Sequence, residues 1–195
     1  MSATYRYIMD HLQRREDDLP PKNIHLMGVD PGGTTGWYNF TVPRACIFSD
    51  APSQIIEHDW GEFTGPEPKQ AIELARLARE IQSMDYQVGP ALVVEQWDQD
   101  PTFKSTDPEA LSPVRLGAML SLLREQKQLG DCSLVFQSRT LAFGTVTDER
   151  LKRWHMWIEG SDHIRAACRH GITALRRARE NPEFAKLLWP NMEFE

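Results

Sequence analysis

Two acidic residues close two of the most apolar stretches of the chain. Asp30 ends the run Ile24 to Asp30, just before the turn-forming Pro31-Gly32-Gly33, and Glu95 ends Ala91-Leu92-Val93-Val94-Glu95. An acid at the end of a buried strand is costly to desolvate unless a cation or a hydrogen-bond donor compensates it. Two such carboxylates suit a hard divalent ion, Mg²⁺ or Mn²⁺, which takes oxygen ligands and keeps positions for water and phosphate oxygens. A pair of such ions can stabilise both the attacking and the leaving oxygen of a phosphodiester. Alone, Asp30 would do no more than hydrogen-bond its own glycine turn. Glu95 tips the reading toward metal.

The elements that must position these acids can be read from periodicity and punctuation. Residues 1–23 read as an amphipathic extension ending at Pro20-Pro21, since paired prolines cannot continue a helix. Ile24–Asp30 is a buried strand, and Trp37–Val42 and Gln54–Phe63 return as second and third strands of an antiparallel meander, with a loop over Pro43–Pro52. Lys69–Met84 has helical spacing and stops before Gly89-Pro90. The unbroken apolar run at 91–94 implies a strand covered on both faces, hence a central, parallel one. Ser112 and Pro113 suit the N-cap and first turn of a helix to about Lys127. Ser133–Gln137 supplies another strand, and Thr147 caps a helix through Trp157. A final helix carries the stripe Ile164, Ala167, Cys168, Gly171, Ile172, Leu175 and Ala178. Three early strands, then helix, strand, helix, strand and helices make a mixed α/β sandwich. The divisions are an extension at 1–23, a domain at 24–180 and a C-terminal tail at 181–195.

With 195 residues and 41% hydrophobic content, the chain can build one sizeable core. Its three cysteines, Cys46, Cys132 and Cys168, are widely spaced and form no metal-binding or disulfide pattern, which fits a reducing, cytoplasmic setting. No apolar run reaches the ~18 residues of a membrane span, and the charged residues 6–18 do not read as signal-like, so a soluble, unexported protein is expected. A net charge of −6 argues against wholesale coating of nucleic acid, so any such site must be local. One basic region exists. His163 to Glu180 holds Arg165, Arg169, Arg176, Arg177 and Arg179 against the single acid Glu180, a pattern that equally suits a solvated helix face.

Four motifs in order carry a resemblance: Gly28-Val29-Asp30-Pro31-Gly32-Gly33-Thr34-Thr35-Gly36-Trp37, Val93-Val94-Glu95, Ser112-Pro113-Val114-Arg115, and Asp162 to His170. Together, over roughly residues 24–178, they resemble RuvC-like Holliday junction resolvases, especially phage-type ones, of the RNase H-like superfamily. The resemblance implies an RNase H-like mixed sheet, three antiparallel strands followed by parallel ones, with helices on both faces. It implies a homodimeric endonuclease that resolves four-way DNA junctions with Mg²⁺ or Mn²⁺, two ions per site, in the cytoplasm of a bacterial host if phage-encoded. No membrane and no small-molecule cofactor are expected. Asp30 and Glu95 then map onto metal ligands, and the helix Leu111–Lys127 is a candidate dimer surface.

In such proteins the last helix adds His-x-x-Asp or Asp-x-x-Asp, whose i,i+3 spacing puts both ligands on one face. Here the residues are His163-Ile164-Arg165-Ala166, so alanine stands where an aspartate is expected. His163 remains a candidate ligand. Three explanations fit Ala166: an engineered inactivating change, which the otherwise intact motif favours, a binding-only relative, or compensation by Asp162. Asp162 equally suits a helix N-cap.

Candidates for phosphate contact are Arg115, Arg139, Lys152, Arg153, Arg165 and Arg169, with Phe103 as a candidate wedge in an open junction. Rival readings are a junction-binding protein without catalysis, a nuclease acting on RNA–DNA hybrids, and an actin-like ATPase or sugar kinase, whose phosphate loop also resembles Asp30 to Thr34. The last needs a second such loop, which the sequence lacks.

Overall fold

The computed structural model describes residues 23–44, 55, 57–84, 89–97 and 111–192. Residues 1–22 of the expected extension and Phe103 lie outside them, while Asn23 already belongs to the first strand. Five strands form one sheet: β1 (Asn23–Asp30), β2 (Thr34–Pro43), β3 (Glu57–Thr64), β4 (Ala91–Gln96) and β5 (Ser133–Ser138). Their spatial order is β3-β2-β1-β4-β5, antiparallel from β3 to β1 and parallel from β1 to β5. This is the mixed sheet expected from the sequence.

The two-residue period of a strand sorts its side chains between two cores. Met27, Val29, Trp37, Leu92 and Val94 face helices α1 (Glu67–Met84) and α2 (Ser112–Glu125), where they meet Leu74, Ala78, Leu116 and Leu120. Ile24, Leu26, Tyr38, Phe40, Ala91 and Val93 face the other way, onto the long helix α5 (Asp162–Glu180). Continuing the second parity along β1 and β4 reaches Asp30 and Glu95. Both acids therefore belong to the α5 side of the sheet, at its edge where β1 and β4 end.

Short helices α3 (Arg139–Thr145) and α4 (Asp148–Arg153) lie between β5 and α5. Thr147 caps α4 as expected, accepting from the Arg150 amide, but that helix stops at Arg153 and not at Trp157, and His155 beyond it has a left-handed φ of 58°. At α2 the N-cap is Leu111; the Ser112 hydroxyl instead donates to the Gly32 carbonyl at 3.0 Å, tying the start of α2 to the turn after Asp30. At α5 the cap is Ser161, whose hydroxyl accepts from the Ile164 amide at 3.0 Å, and Asp162 is the first helical residue.

The segment expected as a tail is part of the core. Asn181 accepts from the Glu183 and Phe184 amides to start α6 (Pro182–Leu188), which buries Phe184, Ala185, Leu188 and Trp189 against the α5-side cluster. The Trp189 indole donates to the His25 carbonyl at 3.3 Å, closing the C-terminal segment onto β1.

Candidate active site

Close backbone approach places α5 over the ends of β1 and β2. A Cβ at Gly28 would overlap the Ala167 carbonyl, and one at Gly36 would overlap the backbone carbonyl of His163. Glycine is required there for contact, since neither position has a positive φ. The approach carries His163, at the first turn of α5, to Asp30: its Nδ1 lies 2.7 Å from Asp30 Oδ2.

Asp30 and Glu95 are only 5% and 8% exposed, and one guanidinium nitrogen of Arg139 reaches both carboxylates, 3.9 Å from Asp30 Oδ1 and 3.3 Å from Glu95 Oε2, so the two acids lie side by side. Burial raises the Asp30 carboxyl above its ordinary range, the His163 hydrogen bond lowers it in part, and the charge of Glu95 raises it further. Burial also pushes Glu95 upward, but the hydrogen bonds from His170 and Asp30 and the charge of Arg139 outweigh it, so Glu95 lies below its ordinary range. Two close acids thus have their carboxyls pushed in opposite directions, Asp30 up and Glu95 down. The Asp30 hydrogen bond raises His163 above its ordinary value against the opposing effect of its burial.

Arg139, the first residue of α3, spans the pair. Its Nη1 lies 3.3 Å from each Glu95 oxygen and 3.9 Å from Asp30 Oδ1, while its guanidinium stacks over Phe143 at 4.3 Å. It was expected as a phosphate contact; here it supplies the positive charge between the acids. Glu95 is also bound from within the fold, its Oε2 accepting from His170 Nε2 at 3.0 Å. His170 is fully buried, and sequence reading gave it no role. The missed signal was its spacing: it follows His163 by two helical turns and so lies on the same face.

Ala166 is 2% exposed on α5 and offers no ligand. Asp162 does not take its place, for its side chain is 91% exposed and pairs with Arg165. Among the described residues no three His, Cys, Asp or Glu side chains gather as a ligand set. The chemistry of the donors fits one hard cation held by the Asp30 and Glu95 oxygens, with water or phosphate oxygens completing the shell. A second ion lacks a carboxylate on α5.

The other basic candidates are largely occupied. Arg115 pairs with Glu67, its Nε at 3.0 Å. Arg165 binds Asp162 and, at 2.6 Å, the Ile158 carbonyl, over the Trp157 ring. Arg169 is 5% exposed and is held by the Val146 carbonyl at 3.0 Å, by Asp148 and by the Phe143 ring, so its guanidinium serves the packing of α5 on α3 and α4. Lys152 sits 4.5 Å from the Trp157 ring centre, and Arg153 is exposed.

Neither a protein-family model nor a curated protein matches the chain. Solved structures do. RuvC of Thermus thermophilus in complex with a Holliday junction substrate matches with a TM-score of 0.52 at 10% identity, covering 81% of this chain and 96% of that one. A second Thermus thermophilus RuvC structure matches with a TM-score of 0.52 at 12% identity, over 80% and 96%. At that identity the likeness is one of architecture, and with the strand order and helix placement described above it establishes that this chain has the RuvC-type, RNase H-like fold.

Proposed function

We propose that the chain is a structure-selective DNA endonuclease of the junction-resolving kind, dependent on a divalent ion and written here in a form disabled at position 166. The observation that carries this reading is the pairing of Asp30 with Glu95, two buried acids brought to one edge of the sheet from strands 65 positions apart in sequence. A fold that needed only stability would not keep two acids in mutual repulsion, and such pairs mark functional sites more often than structural ones. The RuvC structure of the same architecture was solved on a Holliday junction, which supports branched DNA as the substrate class.

Bound between the carboxylates, a divalent ion would supply Lewis acidity to a phosphodiester and lower the pKa of a bound water. Asp30 and Glu95 would hold it. His163 keeps Asp30 oriented. Arg139, 57% exposed, is free to turn from the carboxylates toward a phosphate once another cation replaces it. Cutting two equivalent strands calls for a second copy of the chain, and the exposed Leu111, Val114 and Leu122 on or beside α2 are the surface we assign to it.

Ala166 favours one further reading, a protein that binds junctions without cutting them. The two readings, and the substrate class, are separated by offering four-way junctions, linear duplexes and RNA–DNA hybrids to this chain and to Ala166→Asp in Mg²⁺ or Mn²⁺. Preferential binding of junctions by both, with cutting only by the variant, is expected. Equal action on all three substrates would refute junction selectivity, and tight junction binding without cutting by either would favour the binding protein.

A further inference from the structure

The hold on Glu95 extends through the core in a chain of three side chains. Glu95 Oε2 meets His170 Nε2 at 3.0 Å. Gln137 Nε2 lies 3.2 Å from His170 Nδ1 and 3.2 Å from the His170 carbonyl, and Arg177 Nη1 donates to Gln137 Oε1 at 3.3 Å. Arg177 in turn packs on the Phe184 ring at 3.8 Å. His170 is 0% and Gln137 1% exposed, so water does not compete for these bonds.

Donor and acceptor roles follow without ambiguity. A guanidinium only donates, so Gln137 must turn its carbonyl oxygen to Arg177 and its NH₂ to His170. The His170 carbonyl only accepts, which requires the same amide orientation. Nδ1 then receives a donor and must be bare, leaving the ring proton on Nε2, where it points at Glu95. Gln137 thus sets the tautomer, and the tautomer commits one oxygen of Glu95.

We propose that His170, with its tautomer set by Gln137 and Arg177, is the positioning residue for Glu95, tying down Oε2 and leaving Oε1 as the oxygen available to a cation. Sheet parity makes the arrangement possible: Gln137 is the register partner of Glu95 on β5, and both face α5. The proposal rests on reading the Asp30–Glu95 pair as a cation site. Partners of metal-binding carboxylates and imidazoles commonly contribute 10- to 100-fold to metal affinity by holding the ligand in place.

The test uses the Ala166→Asp chain as parent and compares His170→Gln, which can present N–H near the Nε2 position, with His170→Asn and His170→Leu, which cannot. Mn²⁺ affinity is read by titration calorimetry, folding by circular dichroism, and the ring proton of His170 by ¹⁵N NMR. We expect His170→Asn and His170→Leu to bind Mn²⁺ about 10- to 100-fold more weakly, His170→Gln to recover most of the loss, and the parent ring to carry its proton on Nε2. Gln137→Leu, which leaves His170 in place, should give a mixed tautomer and weaker Mn²⁺ binding, and it decides the matter if the His170 variants do not fold. Unchanged Mn²⁺ affinity in folded His170→Leu, or a proton on Nδ1 in the parent, would overturn the proposal. A parent that binds no Mn²⁺ would overturn the cation-site reading instead, and the tautomer would then decide the relay alone.

Discussion

His163 and Asp30, separated by 133 positions in sequence, meet at 2.7 Å between the first turn of α5 and the end of β1. The contact is the point at which the long helix touches the carboxylate pair, and it exists because Gly36 lets the helix backbone lie directly on β2. Sheet parity brings Asp30 and Glu95 to one face, and helix contact adds His163 and His170.

Replacing Gly36 by alanine should break that contact. Its Cβ would overlap the His163 carbonyl, an obstruction made of backbone that no rotamer change relieves. Overpacking of this kind costs about 1–3 kcal/mol. We expect a lower melting temperature for Gly36→Ala and, in an Ala166→Asp background, a larger proportional loss of cleavage than of stability. Unchanged melting and cleavage would show that α5 does not depend on this approach.

Asp30→Asn should stabilise the protein when divalent ions are chelated. The folded Asp30 carboxyl is raised above 3.8, so the native state holds more protons than the unfolded one in the window above that value, and stability falls as pH rises through it. His163, raised above 6.5, contributes stability that is full below that value and fades as pH rises through its folded value. As pH rises above 6.5 the repulsion between the two acids remains while the His163 contribution fades. The melting temperature of Asp30→Asn should there exceed that of the parent, by about 2–4 °C for each kcal/mol relieved, and the gap should close as pH approaches 3.8. Mn²⁺ should stabilise the parent and not the variant.

Arg139 acts as an internal counter-ion, which predicts a gain of metal affinity on its removal. Its side chain is 57% exposed, so the pair contributes only about 0–1 kcal/mol. Arg139→Gln should bind Mn²⁺ up to about fivefold more tightly without DNA, by calorimetry, yet bind junctions more weakly. Weaker Mn²⁺ binding would contradict the counter-ion role.

Trp189 is fully buried and bonded to the His25 carbonyl, which ties the segment 181–192 into the core. Trp189→Ala should cost about 3–5 kcal/mol by denaturant unfolding, a large share of a domain's stability. A loss under ~1 kcal/mol would return the segment to the status of a tail.

Sequence legibility followed the length and regularity of each element. The apolar runs at β1 and β4 and the stripe on α5 announced their elements, and the acids that end the two strands announced the site. Arg139 stands among the phosphate-contact candidates in the sequence, and its place beside Glu95 is not legible there because α3, at seven residues, is too short to show a period and the contact depends on β5 delivering it to the same sheet edge. His170 was hidden among the buried positions of α5, where its bond to Glu95 is visible only in three dimensions. The tail expected after 180 instead holds a helix of only seven residues, begun by Asn181 and Pro182, too short to show its apolar face as a repeating pattern. Ser112 looked like a cap and instead bonds to Gly32, a competition between local and distant acceptors that sequence does not resolve.

Cleavage of a labelled four-way junction in Mn²⁺ by Ala166→Asp, with and without Asp30→Asn, is the most direct test of the central claim. The account predicts no cutting by the chain as written, cutting by Ala166→Asp, and its loss when Asp30→Asn is added. Folded Ala166→Asp that leaves the junction intact, or cutting that survives Asp30→Asn, would contradict it.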